Sequence, residues 1–143
     1  MLFSRTAEYA VRAMTFLATQ KPGQLAGARE IAAAENIPMP FLWKILQLLT
    51  KRKLVRSFKG IRGGYELAWA PDGVKLSDIV FATDGTDFRE SCVLGLPECD
   101  SVHPCPLHHR WKDVREGMIQ MLDHTSLADL AQVTSTRSTT RRK

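Results

Sequence analysis

The stretch from Ile37 to Trp69, "IPMPFLWKILQLLTKRKLVRSFKGIRGGYELAW", limits the possible folds more than any other. Proline is tolerated in the first turn of a helix but not inside one, so Pro38 and Pro40 mark a turn and a fresh start. Beyond them Phe41, Ile45, Leu48 and Leu49 recur at the steps of a buried helical face, with Lys44, Gln47, Lys51 and Arg52 mostly on the other side. "LVRSF" and "YELAW" then read as strands, rich in β-branched and aromatic residues, around a turn holding Gly60, Gly63 and Gly64.

Upstream, Tyr9, Ala10, Ala13, Met14 and Leu17 share one helical face behind a candidate N-cap at Ser4. "QKPGQLAG" breaks that helix, and "AREIAAAENI" predicts a short alanine-rich one with Ile31 and Ala34 facing inward. Two such helices with a short turn form a helix-turn-helix, an arrangement that alone is equally met in any small bundle. The hairpin directly after the basic helix adds the wing, with Lys59 and Arg62 at its tip within reach of phosphates or the minor groove. The expected fold class is mainly α with a small β-hairpin (α+β): a winged helix-turn-helix domain plus a long C-terminal dimerisation helix.

Charge supports that reading. Residues 1–85 hold twelve Lys/Arg against seven Asp/Glu, residues 86–133 four against eight, and the last ten residues add four basic groups. From Asn36 to Tyr65 there are seven basic residues and no acid. A basic block beside an acidic region suits a polyanion, and helix, turn and wing in this order point to double-stranded promoter DNA. Arg5, Glu8 and Arg12 interrupt the apolar start, so no secretory signal peptide is expected, and no run approaches the ~18 apolar residues of a membrane span. A cytoplasmic location and no membrane partner are the expectations. No phosphate loop, acid–base pair or cofactor fingerprint is present, so the chain is not expected to be an enzyme; a cluster-bearing redox protein or enzyme is the rival from another class.

"KLSDIVFATDG" predicts one more helix near Ser77, packing Ile79 and Val80 on the winged unit. All three cysteines then fall in "SCVLGLPECDSVHPCPLHHRW". In a reducing compartment such a group suggests metal or redox chemistry more than a disulfide. The order Cys92-x6-Cys99-x5-Cys105-x2-His108 lacks the paired C-x2-C knuckles of most zinc sites, and its glycine and prolines suit a loop wrapped around an iron–sulfur cluster. Spacing alone leaves iron–sulfur, zinc and metal-free thiols open. Trp111, Val114, Met118, Met121 and Leu122 form an apolar stripe on the helix that follows, to be paired with a second chain or packed back on its own domain. Ser126 caps a last short helix in "SLADLA", and the tail "TSTRSTTRRK" is expected to be disordered.

The chain as a whole resembles the iron–sulfur-sensing winged-helix repressors of bacteria, the group containing IscR, NsrR and RirA. The resemblance runs from the first helix to about Val133. It rests on "SRTAEYAVRAMTFLA", "IPMPFLWKILQLLTKRKLV", "GIRGGYELA", the three cysteines with "CPLHHRW", and "TSLADL". It implies a homodimer in which each long helix, here about 106–122, crosses its partner. It implies a DNA-binding domain over residues 1–85, a cluster loop over 86–109, dimerisation elements over 106–133 and a basic tail over 134–143. Cys92, Cys99 and Cys105 are the implied thiolate ligands, and His108 falls where IscR-like members place a fourth ligand to a 2Fe–2S cluster. NsrR-like members instead hold a 4Fe–4S cluster with an acidic residue from the partner's first helix, and Glu8 occupies that position. The 2Fe–2S form with His108 is the favoured expectation; the first gap is one residue longer than in IscR and NsrR. The wing also departs: "KGIRGG" stands where many members have arginine before Gly-Pro-Gly-Gly-Gly. Lys59 is thus a point charge rather than a guanidinium fork, and Arg62 is placed to take over base reading. Trp43 is expected to face outward near the start of the basic helix.

Overall fold

A computed structural model of the chain describes residues 3–85, 89–96 and 101–133. Helix α1 (Arg5–Ala18) begins at Ser4, whose hydroxyl accepts the Ala7 N–H at 3.0 Å. Ser4 in turn donates its N–H to Asp84 Oδ2 at 3.0 Å and its hydroxyl to Asp84 Oδ1. A carboxylate at the positive end of α1 satisfies the helix terminus and ties it to the last residue of α4 (Leu76–Asp84).

Helix α2 (Ala28–Glu35) stops at Asn36, which takes the left-handed conformation (φ 52°) and donates its N–H to Ala32 O. Asparagine adopts that conformation more readily than most residues. Pro38 caps α3 (Met39–Lys51) with Pro40 in its first turn, so the two prolines start the helix as expected. The buried face of α3 is Leu42, Ile45, Leu46 and Leu49, rotated from the predicted one. Phe41 is 55% exposed and lies 6.3 Å from the Tyr9 ring, at the edge of the α1 contact rather than within the core. Ala34 is likewise exposed, and Ala32 takes its place beside Ile31. Both departures have one cause: a helix buries the arc its neighbours cover, which spacing defines only to within a residue.

Strands β1 (Val55–Phe58) and β2 (Gly64–Leu67) pair antiparallel, from Val55 opposite Leu67 to Phe58 opposite Gly64. The chain before α2 extends this hairpin: Ala26 N donates to Tyr65 O at 3.0 Å and Tyr65 N to Ala26 O at 2.8 Å. Gly64 permits the approach, since a Cβ there would stand 2.8 Å from Ala26 O. The wing is therefore tied to the helical body through its inner strand.

The main core gathers Ala10, Ala13 and Met14 of α1, Ile31 of α2, the inner face of α3, Val55, Val74 and Ile79. Leu127 belongs to it as well, although it lies far along the chain, beyond α5 (His108–His124). There the chain returns to Val74–Leu76, where Leu76 N donates to Thr125 O and Leu127 N to Val74 O, each at 2.9 Å. Residues 127–133 are helical and form α6. Ser126 caps them as expected, with Ser126 N donating to Asp129 Oδ2 and Asp129 N to Ser126 Oγ.

Helix α5 begins at His108, two residues after the predicted start, because Pro106 and Leu107 form the turn before it. Its apolar stripe is divided. Met118 and Leu122 pack back on Val80, Leu76 and Phe3, while Val114 (57%) and Met121 (49%) face outward. No helix among the described residues is long and apolar enough to cross a membrane.

Candidate metal loop and nucleic-acid interface

Three inward leucines and one isoleucine hold α3 against the body, so its opposite face is presented to solvent. Trp43, Lys44, Gln47, Lys51 and Arg52 are all exposed, as are Lys59 and Arg62 on the wing. Trp43 faces outward as expected, at 53% exposure. Among the described residues the ion pairs are Arg12–Glu35, Arg56–Glu66 and Arg89–Asp123. Lys44, Lys51, Arg52, Lys59 and Arg62 are in none of them, which leaves their charge available to phosphate oxygens.

The cysteine segment is organised from α5. Trp111 Nε1–H donates to Ser91 O at 2.9 Å and Arg115 Nη1 to the same oxygen at 3.2 Å. Two residues earlier, Arg89 grips Asp123 through bonds of 2.7 and 3.3 Å. Cys92 therefore leaves a strand of chain fastened at two points to one helix. A turn follows at once: Gly95 N donates to Cys92 O at 3.0 Å, with Gly95 in the left-handed region (φ 74°), where glycine is unstrained. The turn aims backbone amides at the sulfur. Leu94 N–H foremost, then Leu96, the Cys105 thiol and Gly95, hold the Cys92 thiol below its ordinary acidity range against the opposing effect of burial. Stabilising the thiolate this way is what a soft metal ion requires of a ligand.

Cys105 comes back to this point, its Sγ 3.8 Å from Cys92 Sγ. The His108 N–H donates to Cys105 O at 3.0 Å, and the His108 side chain is buried, edge-on to His109 at 5.3 Å between ring centroids. His103 and His109 are exposed. Cys99 lies outside the described residues, as does the tail 134–143. Glu8 is half-buried on α1 in an apolar groove of about 310 Å³ lined also by Phe3, Val11, Leu76, Val80 and Leu122. No three potential metal ligands converge among the described residues.

The clamp residues Arg89, Ser91, Arg115 and Asp123 carried no sequence signal, because partners 20 to 34 positions apart meet only through the packing of α5. The Arg89 guanidinium, foremost by its hydrogen bonds, keeps the Asp123 carboxyl below its ordinary value. A carboxyl depressed in the folded state stabilises it above the unfolded value, near 4, and loses that contribution as pH falls through the folded value. Arg89→Ala should therefore lower stability slightly at neutral pH, and the deficit should vanish on acidification, as thermal melts from pH 7 to pH 3 would record. The pair is about one-third exposed, so the effect is small.

Comparisons with known proteins converge. Residues 3–133 match the Rrf2 family, described as iron-dependent transcriptional regulators. An HTH-type transcriptional regulator of Aquifex aeolicus is 35% identical over 135 residues, covering 93% of each chain. Two solved structures are similar. CymR, the global cysteine regulator of B. subtilis, is 27% identical with a TM-score of 0.78, covering 92% of this chain and 96% of its own. IscR of T. potens is 28% identical with a TM-score of 0.73, covering 92% and 86%.

Proposed function

The chain belongs to the Rrf2 family and is a DNA-binding transcriptional regulator, and from that premise we propose that its hold on promoter DNA is set by an iron–sulfur cluster bound in the cysteine loop. Cys92, Cys99, Cys105 and His108 are the ligands in this reading, favouring a 2Fe–2S cluster. Glu8 of a second subunit is the alternative fourth ligand to a 4Fe–4S cluster.

The observation that carries the reading is the 3.8 Å between Cys92 and Cys105 sulfurs. Two thiolates bound at about 2.3 Å to one tetrahedral metal lie about 3.8 Å apart, whereas a disulfide needs about 2.05 Å. Donor chemistry agrees, since thiolates with an imidazole suit iron–sulfur sites. When bound, the cluster supplies an iron- and redox-responsive cross-link among these side chains.

The chain's own residues carry that restraint to the DNA surface. Cys92 is joined through Ser91 to Trp111 and Arg115, α5 packs Met118 and Leu122 on Val80 and Leu76, and α4 rests on α1 beneath α3. A regulator that moves from 1% to 99% occupancy needs about 5.5 kcal/mol of difference between its states. Ordering a loop of this length offers a difference of that scale. A second copy of the chain completes the reading. Val114 and Met121 on α5, the apolar groove beside Glu8, and Val93, Leu94 and Val102 around the thiols leave apolar surface uncovered in one chain. Helix-turn-helix regulators usually read two half-sites as dimers. Residues 1–85 then act as the DNA unit, 86–109 as the cluster loop and 106–133 as the dimerisation elements.

Protein purified without oxygen should be coloured and contain iron and sulfide; zinc in a colourless preparation would overturn the proposal. His108→Ala should then loosen the cluster and Glu8→Ala leave it in place; the reverse outcome selects the 4Fe–4S alternative. Lys51→Ala with Arg52→Ala should weaken DNA binding across all sequences and lower the salt slope by about two, as titrations at several salt concentrations would measure.

One observation favours a second reading, a metal-free thiol sensor: the same two thiols are adjacent and one is acidified. Iron analysis separates the two.

A further inference from the structure

The wing tip is a rigid turn with two projecting side chains. Gly63 N donates to Gly60 O at 3.0 Å, and Gly60 takes a left-handed φ of 101°. A Cβ on Gly63 would fall 2.1 Å from Phe58 O, so only glycine closes the turn. Between them stand Ile61 and Arg62. The hairpin behind is anchored by the Ala26–Tyr65 bridge, so the tip is presented by a tied element.

Ile61 is fully exposed, at 106% of its reference accessibility. A lone exposed apolar residue ordinarily signifies nothing. This one has a particular setting. Turn apices favour Gly, Asn, Asp, Pro and Ser, and a β-branched residue there gains nothing from the fold. It stands between Lys59 and Arg62, two exposed cations outside every ion pair of the described residues. A stiff protrusion with an apolar point and cationic shoulders matches the minor groove, where proteins press apolar wedges against base steps while cations hold the neighbouring phosphates.

We propose that Ile61 is a minor-groove wedge which reads DNA deformability beside the site contacted by α3. It favours a flexible pyrimidine–purine step at that flank and bends the duplex there. Lys59 and Arg62 seat the tip on the adjacent phosphates. This selectivity needs no hydrogen bond to a base, because the sequence-dependent cost of opening the step does the discriminating. The inference rests on the DNA-binding reading above and adds a specificity determinant to it.

The test uses the full-length protein, purified without oxygen, and a duplex that it selects from random-sequence DNA. Affinity is measured by titration and bending by energy transfer between labelled duplex ends. Ile61→Ala should bind about tenfold more weakly, because the shortened side chain covers less of the opened base step. It should bend the duplex less, with unchanged melting temperature and salt slope, and its deficit should disappear when the flanking pyrimidine–purine step of the selected duplex is replaced by a stiff A-tract. Ile61→Leu should retain most of the affinity and bend. Arg62→Ala should lower the salt slope by about one. An Ile61→Ala protein with wild-type affinity and bend overturns the wedge and leaves DNA binding intact. A wild-type protein that selects no duplex overturns the DNA reading itself, and the wedge with it.

Discussion

Cys92→Ala should give a folded, iron-free and colourless protein. The substitution removes one of the two sulfurs whose 3.8 Å separation matches a shared metal, and it removes the one that backbone amides stabilise as thiolate. Cys99, Cys105 and His108 remain, one donor short of the four in the proposed ligand set. Iron and sulfide per subunit should fall below about a tenth of wild type, since a lost protein ligand costs more than the tenfold to hundredfold of an outer partner. Trp111→Phe gives that smaller, graded effect: it deletes only the hydrogen bond to Ser91 O and should speed cluster loss by about tenfold to a hundredfold. DNA binding by Cys92→Ala should no longer respond to added iron and sulfide. Circular dichroism and melting temperature should stay near those of the metal-free wild type, because Cys92, although buried, belongs to neither apolar core cluster. Full iron content and visible absorption in Cys92→Ala would remove Cys92 from the ligand set.

Leu127→Ala should be among the most destabilising changes in the chain. The side chain is fully buried and shares a core with Leu42, Leu46 and Leu49, the residues that hold α3 in place. Truncating a buried leucine to alanine costs about 2–5 kcal/mol, a large part of the ~5–15 kcal/mol that holds a domain folded. The melting temperature should fall by roughly 10 °C, and DNA affinity should drop at temperatures where wild type is still folded. The tryptophans Trp43, Trp69 and Trp111, spread over α3, the wing region and α5, should report one shared transition. Were the C-terminal elements an appendage with no part in the winged fold, α3 and the wing would melt as in wild type and only Trp111 would move.

That outcome bears on how residues from opposite ends of the chain cooperate. Val74–Leu76 and Thr125–Leu127 exchange backbone hydrogen bonds and Arg89 holds Asp123, which pins the C-terminal end of α5, while Trp111 and Arg115 tie its N-terminal half to Ser91 of the cysteine segment. In the proposed regulator, a helix fixed in this way would carry the state of the loop to the body of the fold.

Local chemistry made much of this legible beforehand. Ser4 and Ser126 as caps, Pro38 and Pro40 at the start of α3, and a glycine turn between two short strands are each decided by a few adjacent residues, and each stands where the sequence placed it. The outward cations of α3 were legible for the same reason, since helical periodicity separates faces within a single element. Family membership was carried by the motifs themselves. What the sequence left open depends on distant partners. Phe41 and Ala34 belong to surfaces rather than the core because the neighbouring helices cover a slightly different arc. The Arg89–Asp123 and Trp111–Ser91 clamps, the division of the α5 stripe and the burial of Leu127 appear only once α5 has folded back. One-dimensional order specifies elements and caps because their energies are local; which side chains meet is decided by packing, where every contact depends on the placement of whole elements.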